Sequence, residues 1–128
     1  YLYSSSMKDC DWAYLWEKDQ KELPLVELPN DITMDDFTYY YFTFSDPAVR
    51  CMYPNREVFG NWKQEFDGLA LEGNKIFILK LHPQMIGRTS RIGMVGEFIA
   101  YMQNHGAWIT TCEDVARYVQ KQNGGNRA

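Results

Sequence analysis

The clearest pattern of apolar and polar positions lies between residues 55 and 73. Its large apolar side chains recur every three or four positions, the spacing of one helix face; they are Val58, Phe59, Trp62, Phe66 and Leu69. Asn55 is a residue type that caps a first helical turn, and Gly73 is the type that ends a helix. The pattern therefore predicts an amphipathic helix.

Two more helices are predicted in the last third of the chain. Ser90 can cap the first, and Gly106 can end it. The apolar stripe of this helix is Ile92, Val95, Phe98, Ile99 and Met102. Thr111 and Asp114 have the spacing of a capping box, which predicts a last helix running through Val119.

Three short segments have the composition of β-strands. Residues 24–29, "PLVELP", are strand formers bracketed by prolines, which cannot donate to a ladder. The apolar run "KIFILKL" at 75–81 is too short for a helix and predicts a strand buried on both faces, and "AWIT" at 107–110 predicts a shorter one. Alternating strands and helices indicate an α/β fold with parallel strands.

The remaining segments have weaker patterns. Residues 1–23 have no clear period and are predicted to be irregular. Residues 30–54 form a long, aromatic connection of the kind that usually carries function. Residues 121–128 are polar and glycine-rich, and we expect them to be a frayed tail.

Composition narrows the class of protein. The 128 residues are 45% hydrophobic, which suits one domain with a packed core. A net charge of −4 without a basic run argues against nucleic acid, and no segment approaches the ~20 apolar residues of a membrane span. Cys10, Cys51 and Cys112 are odd in number and lack a Cys-x-x-Cys pair, which favours a reducing compartment and hence the cytoplasm.

His82 is the strongest candidate for chemistry. It follows the predicted strand at 75–81, and ligands of α/β sheets lie at the carboxyl ends of the strands. Asp35 and Asp36 begin the aromatic connection and could meet it there. A carboxylate beside a histidine stabilises the imidazolium and selects its tautomer, which suits a general acid. The alternatives are a structural histidine and two solvated loop carboxylates.

Two arginines follow His82 closely. Arg91 begins a predicted helix, where a cation opposes the helix dipole, so an anionic partner is expected. Arg88 belongs to the same strand end. The alternative is a structural ion pair with an acid such as Asp35 or Glu113.

A family resemblance appears when these residues are taken together. The phrase "KLHPQMIGRTSRI" resembles the carboxy-terminal motif of the polysaccharide deacetylase family, in the branch with cofactor-free allantoinase-like and imidase-like members. "YLYSSSM" is similar to the family's Tyr-x-Tyr-Asp-Ser-Ser segment, and "LVELPNDITMDDF" to its Glu-Leu-Pro followed by Asp-Asp-Trp. "AWITTCEDVARYV" is similar to the closing strand and helix, so the likeness covers nearly the whole chain.

The resemblance implies that residues 1–128 are the carboxy-terminal portion of one distorted (β/α) barrel that hydrolyses non-peptide carbon–nitrogen amide bonds. His82 then corresponds to the general acid and Asp36 to the carboxylate that orients it. Phe37 stands where the family has a pocket-lining Trp. Ser4 stands where the family has Asp.

The same resemblance implies roles for Arg88 and Arg91, which support the strand-end loop or bind a substrate carboxylate. The family's Asp-Asp base and its metal-binding His-x-x-x-His do not occur in the 128 residues. The chain alone is therefore expected to be inactive and to contain no cofactor, while a divalent metal such as zinc stays open for the complete domain.

Several expectations about partners follow from the resemblance. They are the missing amino-terminal part of the domain, a small-molecule or amino-sugar substrate, and a homo-oligomer, without nucleic acid or membrane. Related enzymes include secreted ones, so secretion stays open beside the cytoplasm. The alternative function is a non-catalytic half-domain that serves as a binding or assembly module.

Overall fold

The structure is a computed structural model that describes residues 1–46 and 52–124. Within these ranges the strands are β1 (Tyr3–Ser4), β2 (Tyr14–Lys18) and β3 (Lys21–Glu27). The helices are α1 (Asp36–Tyr40), α2 (Asn55–Glu72), α3 (Pro83–Ile86), α4 (Thr89–Asn104) and α5 (Cys112–Gly124). The fold is mixed α/β, with one small sheet, against which α5 packs, and with α2 and α4 packed on each other.

The sheet has the order β1-β3-β2. β1 runs parallel to β3, and β2 runs antiparallel to it. Asp19 and Gln20 connect β2 to β3 with φ angles of 53° and 61°, the left-handed conformation of a type I′ hairpin turn. The prediction that residues 1–23 are irregular is therefore wrong, because pairing with β3 orders two strands that have no clear period of their own.

The predicted strand at 24–29 forms, but its bounds differ. β3 begins three residues earlier and ends at Glu27, so Pro24 lies inside it. The register of β2 shifts between Leu15 and Glu17, opposite the stretch that contains Pro24. A proline has no N–H for the ladder, and such an irregularity is where a strand tolerates it.

The three long helices are confirmed, with differences at their starts. Pro54 and Arg88 occupy the cap positions of α2 and α4, where Asn55 and Ser90 were expected. Gly73 ends α2 with φ 70°, donating its N–H to a carbonyl of the last turn. Gly106 follows α4 with φ 78°.

The predicted contact between Thr111 and Asp114 at the start of α5 forms, with the Asp114 carboxylate bonded to the Thr111 hydroxyl. The Thr111 hydroxyl accepts the Asp114 N–H at 3.2 Å and donates to its carboxylate at 2.8 Å. α5 continues through Gly124, into the segment for which fraying was predicted, while residues 125–128 lie outside the described ranges.

The aromatic connection is also more ordered than predicted. A 3-10 turn over Ile32–Met34 and helix α1 lie within residues 30–54. The Thr33 carbonyl accepts hydrogen bonds from the Tyr39 hydroxyl at 2.8 Å and the Trp62 indole at 3.1 Å. The Tyr39 bond holds the start of the connection against α1, and the Trp62 bond attaches it to α2.

Two hydrophobic clusters form the core. The larger lies between α2 and α4 and includes Trp62 and Phe98, both fully buried. The smaller joins β3 to α5 through Val26, Leu28 and Ala116.

The segment 76–79 lies between the two clusters. Phe77 and Leu79 pack against the larger cluster, and Ile76 and Ile78 pack against the smaller. Apolar side chains therefore pack on both faces of the segment, as predicted, although all four are only half-buried.

The predicted strands at 75–81 and 107–110 are nevertheless wrong as paired strands. Within the described ranges the first makes a single parallel bridge, between Lys80 and Asp35. No described residue makes a backbone hydrogen bond to residues 77–79 or 108–109. A strand requires a neighbour, and the described part of the chain does not form a closed barrel.

Two further expectations concern the whole chain. Cys10 and Cys112 are free thiols, and Cys51 lies outside the described residues. Across 1–46 and 52–124, no helix has both the length and the apolar composition needed to cross a bilayer.

Candidate active site around His82

The Lys80–Asp35 bridge brings the two predicted site residues together. Lys80 donates its N–H to the Met34 carbonyl at 2.8 Å, and Asp36 donates its N–H to the Lys80 carbonyl at 3.1 Å. Asp36 is the first residue of α1, and His82 caps α3, which Pro83 opens in the position that suits proline. Two helix starts therefore lie side by side.

A buried carboxylate holds the imidazole. The Asp36 side chain is fully buried, and its Oδ1 lies 2.7 Å from Nδ1 of His82. The same carboxylate accepts the His82 backbone N–H at 2.9 Å and 3.1 Å. Since an ionised carboxylate only accepts, Nδ1 carries the proton of this bond, and Nε2 is left for another partner. The His82 side chain is 39% exposed, so solvent reaches the ring.

Asp35 adds a second carboxylate beside the ring. Its Oδ1 caps α1 by accepting the Phe37 N–H at 2.9 Å and lies 3.5 Å from His82 Nδ1. Its Oδ2 lies 3.3 Å from Nζ of Lys80. The sequence predicts Asp35 as a carboxylate near His82 but gives it no separate role, and it gives no sign that Lys80 belongs to the site.

Phe37 lies beside the imidazole. The two ring centroids are 5.2 Å apart and tilted by 53°, and the Phe37 ring stacks on Tyr41 at 4.1 Å. One edge of the histidine is therefore covered by an aromatic wall that belongs to α1.

The arginines are placed differently from each other. Arg91 donates to the Met85 carbonyl at 2.6 Å, and its guanidinium lies 3.8 Å from the Tyr40 ring centroid. Neither expected acid pairs with it. Arg88 is exposed and forms no ion pair among the described residues.

Asp35, Asp36 and His82 place possible metal-ligand atoms within 4.8 Å of one another. Their hydrogen bonds do not fit a metal ion. Both Asp36 oxygens already accept N–H groups of His82, and the oxygens of Asp35 face the Phe37 N–H and the Lys80 ammonium. A divalent cation here would displace these donors and meet a like charge, so the cluster is one of hydrogen-bonded ions.

Glu27 is a buried acid that the sequence analysis missed. It is fully buried, and it accepts the N–H groups of Ser6 at 2.7 Å and Met7 at 2.9 Å and the Trp16 indole N–H at 2.9 Å. Burial alone raises the pKa of Glu27, but these donors together lower it below its ordinary value. A charged residue within the apolar run "LVEL" was the available signal.

Ser4, which stands where the family has Asp, is the last residue of β1, directly before the loop that Glu27 holds. Its hydroxyl is 2.8 Å from that of Ser6, and the residue is half-buried. It makes no contact with His82 in the described structure.

Three solved structures are similar to this fold. A Mycobacterium smegmatis protein assigned as a polysaccharide deacetylase has a TM-score of 0.82 and 25% sequence identity. The match covers 95% of this chain and 42% of that protein's chain. The PuuE allantoinase has a TM-score of 0.74 and 27% sequence identity, and the match covers 91% of this chain and 38% of the allantoinase chain. A Pseudomonas aeruginosa PAO1 protein assigned as a polysaccharide deacetylase has a TM-score of 0.76 and 26% sequence identity, and the match covers 95% of this chain and 40% of that protein's chain.

The predicted resemblance to the polysaccharide deacetylase family is confirmed. The chain spans about two fifths of the length of these structures. No model of a protein family and no curated protein matches it.

The hydrogen bonds of Glu27 predict an effect on stability. Glu27→Gln replaces one acceptor oxygen by an amide that faces N–H donors, so the free energy of unfolding at pH 7 should fall by about 1–3 kcal/mol. Urea unfolding measures this. Glu17→Gln, an exposed acid of β2, should change it by less than about 0.5 kcal/mol.

The same variant tests the pH dependence. Because the folded-state pKa of Glu27 is lowered, its contribution is present above the ordinary value of 4.5 and is lost as the pH falls through the folded-state pKa. The Gln variant should therefore lose less stability than the wild type on acidification. Equal slopes of stability against pH would contradict the assignment.

Proposed function

We propose that this chain supplies the proton donor of a hydrolase that cleaves non-peptide carbon–nitrogen amide bonds. The observation that carries the proposal is the 2.7 Å contact between the buried Asp36 carboxylate and Nδ1 of His82. It commits one ring nitrogen to the protein and leaves Nε2 for a substrate.

The chemistry follows from that arrangement. When water has added to an amide carbonyl, the carbon–nitrogen bond breaks readily only if the leaving nitrogen receives a proton. Protonated His82 donates from Nε2 and becomes neutral, while Nδ1–H stays bonded to Asp36. The Asp36 charge stabilises the imidazolium before transfer and holds the ring in the tautomer that the transfer produces.

The neighbouring residues suit a substrate pocket. Phe37 forms a wall beside the imidazole, as its place in the family motif implies, and an amino-sugar or another small amide is the class of substrate that we propose. Arg91 supports the α3–α4 loop through Met85 and Tyr40. Arg88, exposed in this loop, is available to a substrate carboxylate.

The similar structures support the reaction class by their names, polysaccharide deacetylase and allantoinase. Because the chain spans about two fifths of their length, we propose that the group that activates water, and a metal if one is used, belong to the rest of the domain. Residues 77–79 and 108–109, which have no backbone hydrogen bond to any described residue, and the exposed Trp108 and Ile109 suit contact with that missing amino-terminal part.

The proton-donor role predicts a loss of turnover. In the complete enzyme, His82→Ala should lower kcat by about a hundredfold or more, because general acid catalysis contributes roughly that much. The measurement is steady-state kinetics on an N-acetyl sugar and on a cyclic amide. His105→Ala is the control, since His105 is exposed at the end of α4 and bonds the Tyr101 carbonyl. Near-wild-type turnover of His82→Ala would refute the role and favour a non-catalytic module.

The orienting role predicts a change in pH dependence. Asp36→Asn keeps an acceptor for Nδ1–H but removes the charge that stabilises the imidazolium. The alkaline limb of the kcat/KM profile should move to lower pH by about one unit while the circular dichroism spectrum stays the same. Asp67→Asn, which removes a surface carboxylate of α2, is the control and should leave the pH profile unchanged. If the alkaline limb of Asp36→Asn does not move, the orienting role of Asp36 is contradicted.

The proposal of a missing part predicts the behaviour of residues 1–128 alone. Their unpaired segments and exposed apolar side chains should cause self-association, whereas coexpression with the preceding part of the domain should give one stable complex. Size-exclusion chromatography with light scattering and intact-mass analysis measures this. A well-behaved 15.0 kDa monomer without a companion is the outcome that contradicts it.

A further inference from the structure

Lys80 connects the His82 site to the loop that follows β1. Its Nζ donates to Oδ1 of Asn30 at 2.9 Å and lies 3.3 Å from Oδ2 of Asp35. Asn30 in turn donates to the Ser5 carbonyl at 2.9 Å. With the 3.5 Å separation of Asp35 and His82, these contacts form one polar chain from the β1 loop to the imidazole.

The backbone of Lys80 already serves the site, because its N–H and carbonyl form the bridge that places Asp36. Its side chain has a separate role. The Lys80 side chain is 32% exposed and that of Asp35 is 17% exposed, so the pair is screened by solvent less than a fully exposed surface pair. Asp35 does not depend on Lys80 for its position, since its Oδ1 also caps α1.

The charges around the imidazole do not balance without this lysine. The carboxylates of Asp35 and Asp36 both face Nδ1, and α3 contributes no charged side chain. Arg91 of α4 is directed to Tyr40 and the Met85 carbonyl. With Lys80, the cluster is neutral when His82 is protonated. Without it, two carboxylates would face one imidazolium, and the proton would be held more tightly.

We propose that Lys80 is a positioning residue for the proton donor: its ammonium offsets the charge of Asp35, so that His82 both acquires its proton and releases it to a leaving nitrogen. This inference rests on the proposed function and adds a residue to that site. A general acid is most effective when its affinity for the proton is matched to the working pH, and Lys80 opposes the excess of negative charge that would raise this affinity.

The test is an NMR titration of the His82 ring in the complete protein, with its signals assigned by their loss in His82→Gln. Lys80→Gln removes the charge and keeps a donor for Asn30. The titration midpoint should rise by about half a unit to one unit, as expected for loss of a nearby cation. The alkaline limb of the pH–rate profile should move to higher pH by a similar amount. The value of kcat should fall roughly threefold, because the imidazolium holds its proton more tightly.

Three further variants define the role. Lys80→Arg, which keeps the charge, should retain the wild-type midpoint within about 0.3 units. Asp35→Asn should lower the midpoint, because it removes the carboxylate that Lys80 offsets. Lys63→Gln is the matched control: this lysine pairs with Asp67 on α2 and should leave the His82 titration unmoved.

An unchanged or lowered midpoint in Lys80→Gln overturns the inference. If that variant does not fold, Asp35→Asn decides the matter, and an unchanged midpoint there overturns it equally. The proposed function is tested separately by His82→Ala. A titration that moves as expected beside full turnover of His82→Ala would remove the proton-donor role, whereas lost turnover beside an unmoved titration would remove only the role of Lys80.

Discussion

The hydrogen bonds between the Asp36 carboxylate and His82 are the interaction on which the site depends. Removing a carboxylate from water costs several kcal/mol unless donors replace the lost hydration. Here both donors, the backbone N–H and Nδ1–H, come from one residue. The loop that carries His82 and the start of α1 are therefore positioned together, and loss of either partner leaves an unpaired polar group beside the core.

The hydrophobic core determines where that pair lies. Residues 76–79 alternate between the two clusters, so a shift of one residue would turn Phe77 and Leu79 away from the ring-rich cluster of α2 and α4. This packing sets the register of Lys80 against Asp35, and the register brings His82 to Asp36. One backbone bridge is enough to fix the position of this segment, because its side chains also pack against a hydrophobic cluster on each face.

The polar contacts around the sheet divide into two groups. Glu27 holds the loop after β1 through the N–H groups of Ser6 and Met7, and it also accepts the Trp16 indole N–H of β2. Lys80 connects the same loop to Asp35 through Asn30. The proposed proton donor thus belongs to a network of charged groups and amides rather than to an isolated pair.

The sequence by itself determined the three long helices but not α1 or α3, and it also determined the candidate histidine with its carboxylates and the family resemblance. Helical spacing, capping residues and the His-Pro motif are local, so α2, α4, α5 and His82 could be found without coordinates. Tertiary structure alone decided the antiparallel β2 and the partners of Arg91, Glu27 and Lys80. It also decided that, within the described ranges, residues 77–79 and 108–109 have no backbone partner. Strand pairing and charge compensation join residues far apart in the chain, and neither has a period that a single sequence displays.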